Sequence, residues 1–316
     1  MRQRLVQFDI LKGIGILLVL LGHTDVVGIP KTFIYGFHMP LFFFCSGCFY
    51  RQKGWGGFLK DNVRSLLIPY LFFVLVLNST YFMLDVKAGG IDKAITLLGE
   101  NLNVQNENSH LYSTIWFLIC LFEIRLIYEI VNRYVYSERL KNIIILGGYL
   151  IGNQLDMTMF VDTAISMSLF YHLGRSFYFS GLYTKRIHWS AVVSIFLSYT
   201  AFIIIFIPKV ETKDNIYPIY LVLLSMPIIY ALYQISLYLA EHMNTLVHFF
   251  ENCGKSSLTL LGMHRPLWLI VYPICLNLNL STIPFIGVQM VSALLITLPL
   301  HQFLRKNFPV LIGLKK

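Results

Sequence analysis

Charge is what this chain has least of. Only 13% of its 316 residues are Asp, Glu, Lys or Arg, while 56% are hydrophobic; a soluble globular domain carries roughly 25% charged residues. With a mean hydropathy of +0.65, the composition excludes a water-soluble enzyme, because a chain of this length cannot hide so much apolar surface. Cysteine is scarce and odd in number: Cys45, Cys48, Cys120, Cys253 and Cys275 mostly sit in apolar stretches and offer no disulfide framework. Cys45 and Cys48 form a C-x-x-C, but within FFFCSGCFY and with no nearby second pair to complete a zinc site, so no metal is expected. A small-x-small cleavage pattern is missing after Gly22-His23-Thr24-Asp25, so the segment that follows Arg2 and Arg4 is expected to stay as a signal anchor. Internal repeats, low-complexity tracts and a soluble domain are missing too. The activity is therefore expected to reside in helices and short loops. The net charge of +9 comes from basic residues scattered among those loops, which argues against a nucleic-acid partner.

Apolar runs of about 20 residues, the length a bilayer core demands, recur along the whole chain. They predict an all-α polytopic transmembrane bundle of about ten helices, near 8–27, 33–50, 64–84, 114–132, 141–155, 160–179, 188–207, 216–239, 256–276 and 284–304, forming one transmembrane domain over 1–316. Sixteen Lys and Arg residues fall in one set of loops, among them Arg51, Lys53, Lys60, Arg64 and Lys185. The alternate set holds five: Lys31, Lys87, Lys93, Lys209 and Lys213. Basic residues are retained inside, so both termini are expected in the cytoplasm. A polar external loop is expected over 85–113, running through Asn101, Asn103, Asn106, Asn108 and His110.

An ionisable group within a membrane span is costly and usually marks a site. The first helix has three: Asp9, Lys12 and His23. Asp9 and Lys12 are spaced to pair on one face. Lys12 and His23 return to nearly the same face and lie about 16 Å apart along the axis, close to the reach of an extended pantetheine arm. His38, in FHMPLFFFCSG, falls at a similar depth to His23 if residues 26–32 form a tight hairpin. A snorkelling lysine and packing histidines would be the ordinary explanation, yet two imidazoles at matched depth are hard to justify by packing.

FDILKGIGILLVLLGHT followed by FHMPLFFFCSG resembles the opening of the membrane-bound acyltransferase-3 family, in particular its fucose 4-O-acetylase-like branch of O-acetyltransferases. RSLLIPY at 64–70, IWFL at 115–118, FYHLGR at 170–175 and GKSSLTLLGMHRP at 254–266 are similar to later family segments, so the resemblance covers nearly the whole chain. It implies an Arg or Lys and a His with ten residues between them in the first helix, the His being essential for O-acyl transfer. Lys12 and His23 match that pattern. Where many relatives carry Arg, this chain has Lys, which lacks the bidentate fork suited to phosphate, so the anchor is expected to be weaker or shared with Arg64 and Lys60. Many relatives also carry a soluble hydrolase-like domain after the last helix; without one, transfer is expected to proceed unaided.

These expectations combine into an integral membrane acyltransferase of the bacterial inner membrane. It would move an acyl group, acetyl from acetyl-CoA in the first instance, to a hydroxyl of a surface polysaccharide or lipid-linked glycan. His23 is the candidate base, since an imidazole near neutrality can take a sugar hydroxyl's proton. Asp25, Asp162 and Glu123 are candidates to orient it; sequence does not choose among them, and an outer-loop position is the alternative for Asp25. His38 is a candidate partner for the acceptor or the oxyanion, with Ser46 one to two turns further along. Trp116 is a candidate stacking platform, and His264, beside Arg265 and Pro266, would line a kinked stretch. Arg125 and Arg175 rank below Arg64 as anion contacts. Transfer through an acyl-histidine is an alternative to direct transfer. From other classes, a transporter or flippase for a glycan would need no CoA anchor, and a membrane scaffold would tolerate loss of the histidines.

Overall fold

The computed structural model describes residues 5–101, 114–152, 154–155, 157–206, 218–278 and 280–315. Among them every element is helical and no strand occurs. Two compact units emerge. The first comprises Met1–Arg51, Leu126–Asp156 and Asp162–Ser257; the second comprises Gln52–Arg125, Met157–Val161 and Leu258–Lys316.

The first unit is organised on α1 (Val6–His23). Next come α2 (Ile29–Tyr35), α3 (His38–Cys48), α7 (Glu138–Gly152), α8 (Val161–Phe179), α9 (Trp189–Phe206), α10 (Pro218–His242) and α11 (Asn244–Lys255). Two crossings are made by glycine, as expected where helices associate with no water to drive them. A Cβ on Gly13 would overlap the Phe250 carbonyl of α11, and one on Gly254 would overlap the Asp9 carbonyl of α1. Gly47 of α3 meets the Tyr171 carbonyl and Gly174 of α8 meets the Phe44 carbonyl in the same way. Aromatic side chains fill the space between, with Phe8, Phe37, Phe44 and Tyr233 almost fully buried.

The expected single helix over 33–50 is instead two, and Pro40 is the cause. Proline has no N–H and clashes with the carbonyl four residues back, here that of Gly36. The released Gly36 carbonyl accepts the Ser225 hydroxyl at 2.7 Å, and that of Phe33 accepts the Tyr199 hydroxyl at 2.9 Å. A Cβ at Gly36 would collide with the Tyr199 hydroxyl. The connection from α1 to α2 is shorter than the expected 26–32 link, since α2 already starts at Ile29 after Gly28 turns at φ 70°.

The second unit contains α4 (Trp55–Asn62), a π-helical turn (Val63–Leu67), α5 (Ile68–Asn101) and the start of α6 (Trp116–Tyr134). Its remaining elements are α12 (Ser257–Asn277), α13 (Thr282–Asn307) and a closing 3-10 turn (Pro309–Ile312). The π turn precedes Pro69, which cannot donate to the Ser65 carbonyl. Gly313, at φ 77°, approaches that Ser65 backbone closely. The polar loop expected over 85–113 is replaced, as far as it is described, by helix. After a break at Gly90 (φ 83°), α5 continues to Asn101, because Ile91, Ala94, Ile95 and Leu98 recur at helical spacing. Asn103, Asn106, Asn108 and His110 lie outside the described residues.

Helix occurs within each of the ten expected stretches, divided in two over 33–50. Five stretches among the described residues are long and apolar enough to cross a membrane: Val6–His23, Trp55–Asn101, Val222–His242, Ser257–Asn277 and Thr282–Asn307. Trp189–Ile205 is apolar but shorter. α6 interrupts its 19 residues with Glu123, Arg125, Glu129 and Arg133. Two amphipathic helices that a search for apolar runs does not find, α4 and α11, complete the set.

Candidate active site

α1 ends where the N–H and hydroxyl of Thr24 both turn back to the Leu21 carbonyl, the hydroxyl at 2.7 Å. His23 is therefore the last helical residue. Its Nδ1 lies 2.8 Å from the Val19 carbonyl; a carbonyl only accepts, so Nδ1 carries a proton, and in the neutral form of the ring the lone pair is on Nε2. His38, buried at the start of α3, repeats the arrangement with Nδ1 at 3.0 Å from the Ile34 carbonyl. The two rings face each other edge to face, centroids 6.5 Å apart and planes at 86°.

Tyr35 joins them. Its ring lies 4.8 Å from His38 and 6.2 Å from His23, and the Lys31 ammonium sits 5.8 Å from its centroid. A Cβ on Gly22 would press against Tyr35 and Ile34 at 3.1 Å, so glycine there lets the ring lie beside α1. Sequence reasoning missed Tyr35 and Lys31, since only the break before Pro40 brings α2 against the histidines. Asp25 is exposed just beyond α1, and the partner recorded for His23 Nδ1 is backbone. Asp162 accepts from the Thr163 N–H at 2.6 Å in the first turn of α8. Glu123 belongs to the second unit.

Towards its other end α1 carries the Asp9–Lys12 ion pair, 2.7 Å long, with Asp9 buried. Lys12 is thus neutralised by its own helix. α1 and α3 run antiparallel: Phe8 contacts Phe49 at 5.1 Å, Gly15 packs on Leu41 and Phe42, and His23 faces His38. That register puts Ser46 at the level of Lys12, about 12 Å along the axis from His38. Ser46 thus lies about two turns of unbroken helix beyond His38, towards the level of the Asp9–Lys12 pair.

Apart from Arg175 of α8, the remaining candidates belong to the second unit. Arg64, in the π turn, pairs with Asp61 at 2.6 Å; Lys53 binds the same carboxylate and Lys315 approaches it at 3.9 Å. Lys60 is exposed. Arg125 donates to Asn62 at 3.1 Å and Ser65 at 3.4 Å. Trp116, half-buried at the start of α6, lies against Phe160 at 5.1 Å. His264 is completely buried, its Nδ1 on the Leu260 carbonyl and its ring 4.9 Å from Trp268. The Trp268 indole in turn donates to the Gln289 carbonyl. α12 continues through Pro266, and the surroundings of His264 are those of a packed helix contact.

Residues 5–302 match the acyltransferase-3 family, described as an acyltransferase domain. The chain belongs to this family. With its apolar helices, membership makes it a membrane acyltransferase, and nothing in the match supports a transporter. No curated protein and no solved structure matches the chain. Among the described residues, no group of three or more His, Cys, Asp or Glu side chains is placed to hold a metal ion, and the five cysteines are buried and form no disulfide.

Proposed function

We propose that this acyltransferase moves a short acyl group, acetyl in the first instance, from acyl-CoA to a hydroxyl of a surface carbohydrate or its lipid-linked precursor, as the O-acetyltransferase resemblance suggests. The observation that carries the reading is the facing pair His23 and His38, each with Nδ1 held by a backbone carbonyl. In this scheme His23 Nε2 takes the acceptor's proton as its oxygen attacks the thioester carbonyl. The C–S bond then breaks, and the imidazolium returns the proton to the departing thiolate, leaving CoA-SH and an O-acyl ester. The carbonyls of the last turn of α1 favour the transient imidazolium. His38 hydrogen-bonds the acceptor hydroxyl.

The sixteen-to-five distribution of basic residues supports termini on the CoA side of a bacterial inner membrane, with Lys12 nearer that side and the histidines further across. Lys60, Arg64 and Lys12 are candidates for the donor's phosphates, and Trp116 and His264 are weaker candidates for acceptor contacts. Mass spectrometry of the host's surface glycans tests the whole reading. Deleting the gene is expected to remove one acetyl mass per modified residue, restored by the wild-type protein and not by His23→Ala at equal membrane abundance. Unchanged glycan masses on deletion, or rescue by His23→Ala, overturn it.

A further inference from the structure

Outside the histidine site, the first unit contains a buried polar network at the charged end of α1. Glu129, completely buried, accepts the Tyr50 hydroxyl at 2.8 Å and pairs with Arg133 at 2.5 Å. Asn132 donates to Tyr50 at 3.0 Å and accepts from Lys141 at 3.1 Å; Lys141 also reaches Glu138 at 2.8 Å. Arg175 of α8 closes the network, with Nη1 at 3.6 Å from Glu138 and the guanidinium carbon 5.9 Å from the Tyr50 ring and 5.2 Å from that of Phe179. His172, one turn earlier, bridges Tyr128 and Asn142 at 3.0 and 2.8 Å.

Two features separate this network from a purely structural one. Three cations, Arg133, Lys141 and Arg175, stand against two carboxylates, Glu129 and Glu138. An uncompensated positive charge in such surroundings is unfavourable until an anion joins it. Arg175 is also the least satisfied member. Its contact with Glu138 is beyond hydrogen-bond length, the Glu138 side chain is 60% exposed, and Arg175 Nε is buried with no hydrogen-bond partner among the described residues. It shares a hydrogen bond with the Tyr128 hydroxyl, which leaves most of the five-donor fork available. With its side chain 21% exposed beside the exposed Phe179, the guanidinium opens at the edge of the unit.

We propose that Arg175, backed by Lys141 and by the Tyr50 and Tyr128 rings, is a phosphate-binding site. Its ligand is a phosphate group, carried by the nucleotide end of the acyl donor or by an anionic lipid headgroup. The donor form deepens the function proposed above and rests on it. Lys12 is neutralised by Asp9, whereas this network carries surplus positive charge at the same end. Tyr50 follows α3 twelve residues after His38, so phosphate and thioester would again be separated by about 16–18 Å along the helix, the span a pantetheine arm covers.

The test uses the full-length protein in detergent and in lipid nanodiscs, with adenosine 3′,5′-bisphosphate as the nucleotide probe and phosphatidylglycerol against phosphatidylcholine as the lipid probe. R175Q is expected to bind the bisphosphate about 10–100-fold more weakly than wild type. R175K, which keeps the charge and loses the fork, should fall between them and decides the matter if R175Q does not fold. Arg175-dependent binding of phosphatidylglycerol alone supports the site and assigns it to lipid. Bisphosphate and lipid binding unchanged in R175Q, or in R175K when only that variant folds, overturns the proposal. Should the wild type transfer no acyl group from acyl-CoA yet show Arg175-dependent phosphate binding, the function above fails while the site stands.

Discussion

At the C-terminal end of α1, the helix meets its neighbours through rings: His23, Tyr35 and His38 lie with centroids 4.8–6.5 Å apart, and the imidazoles are tied to backbone carbonyls. Three turns earlier the same helix carries a closed ion pair, and α6, α7 and α8 set carboxylates and cations in a continuous network with Tyr50, just beyond α3. Permanent charge in an apolar bundle is tolerated only when paired, so it collects where partners from several helices converge. A neutral imidazole needs only one carbonyl and keeps a lone pair. The helix thereby separates a region suited to holding charged groups from one suited to moving a proton.

Breaking the proton end should have the largest effect. His23→Gln is expected to lower kcat by about 10²–10⁴-fold, with KM for acyl-CoA and membrane abundance unchanged, measured as labelled acetyl transfer in isolated membranes. An equal rise in KM would show that the two ends of α1 are not functionally separate. Breaking the charged end instead should register as stability. Glu129→Gln replaces the carboxylate that pairs with Arg133 by a neutral amide, whose oxygen can still accept the Tyr50 hydroxyl, and is expected to cost about 3 kcal/mol, seen as a lowered melting temperature in detergent with little change in activity per folded molecule. A melting temperature equal to wild type would mean that the network contributes no net stability.

That division was partly legible in the sequence. Lys12 and His23 are eleven residues apart on one unbroken helix, so periodicity alone placed them on a shared face, and the i to i+3 spacing of Asp9 and Lys12 gave the ion pair. The facing of His23 and His38 rested on a hairpin whose bounds were displaced by a few residues but whose outcome, two rings 6.5 Å apart, stands. The role of Pro40 was legible too: a proline eight residues into the apolar run that begins at Phe33 favours the α2–α3 break, and with it the placement of Tyr35. The Glu129 network was not legible, because its members come from positions 50, 129–141 and 172–175, which are distant in sequence, and the α3–α8 crossing at Gly47 and Gly174 that sets 50 beside 172–175 shows only in the fold. α4 and α11 escaped because amphipathic helices carry too many polar residues for a search by apolar length.

Lys12 allows a sharper comparison, since removing it alone conflates two effects. Lys12→Gln takes the ammonium away from the buried Asp9 carboxylate and should destabilise the protein by about 2–3 kcal/mol; Asp9→Asn with Lys12→Gln should recover most of that. The double variant then reports donor binding by itself. If Lys12 touches the donor, KM for acyl-CoA stays raised, by roughly three- to tenfold, in the double as in the single variant. A double variant with wild-type KM would confine Lys12 to pairing with Asp9 and leave phosphate recognition to other residues.

The smallest expected effect sharpens the opposite end. Tyr35 packs on both imidazoles, and an edge or tilted aromatic contact is worth about 0.5–1.5 kcal/mol beyond simple burial. Tyr35→Phe keeps the ring and should leave kcat within twofold, whereas Tyr35→Leu fills similar space without the ring's face and is expected to lower kcat about two- to tenfold. If Tyr35 only fixes the rotamer of His38, the loss in Tyr35→Leu should disappear in a His38→Gln background, because the ring it positions is gone. If the full loss persists there, Tyr35 acts on the acceptor or on His23 directly, and the Lys31 ammonium above its outer face becomes the next group to replace.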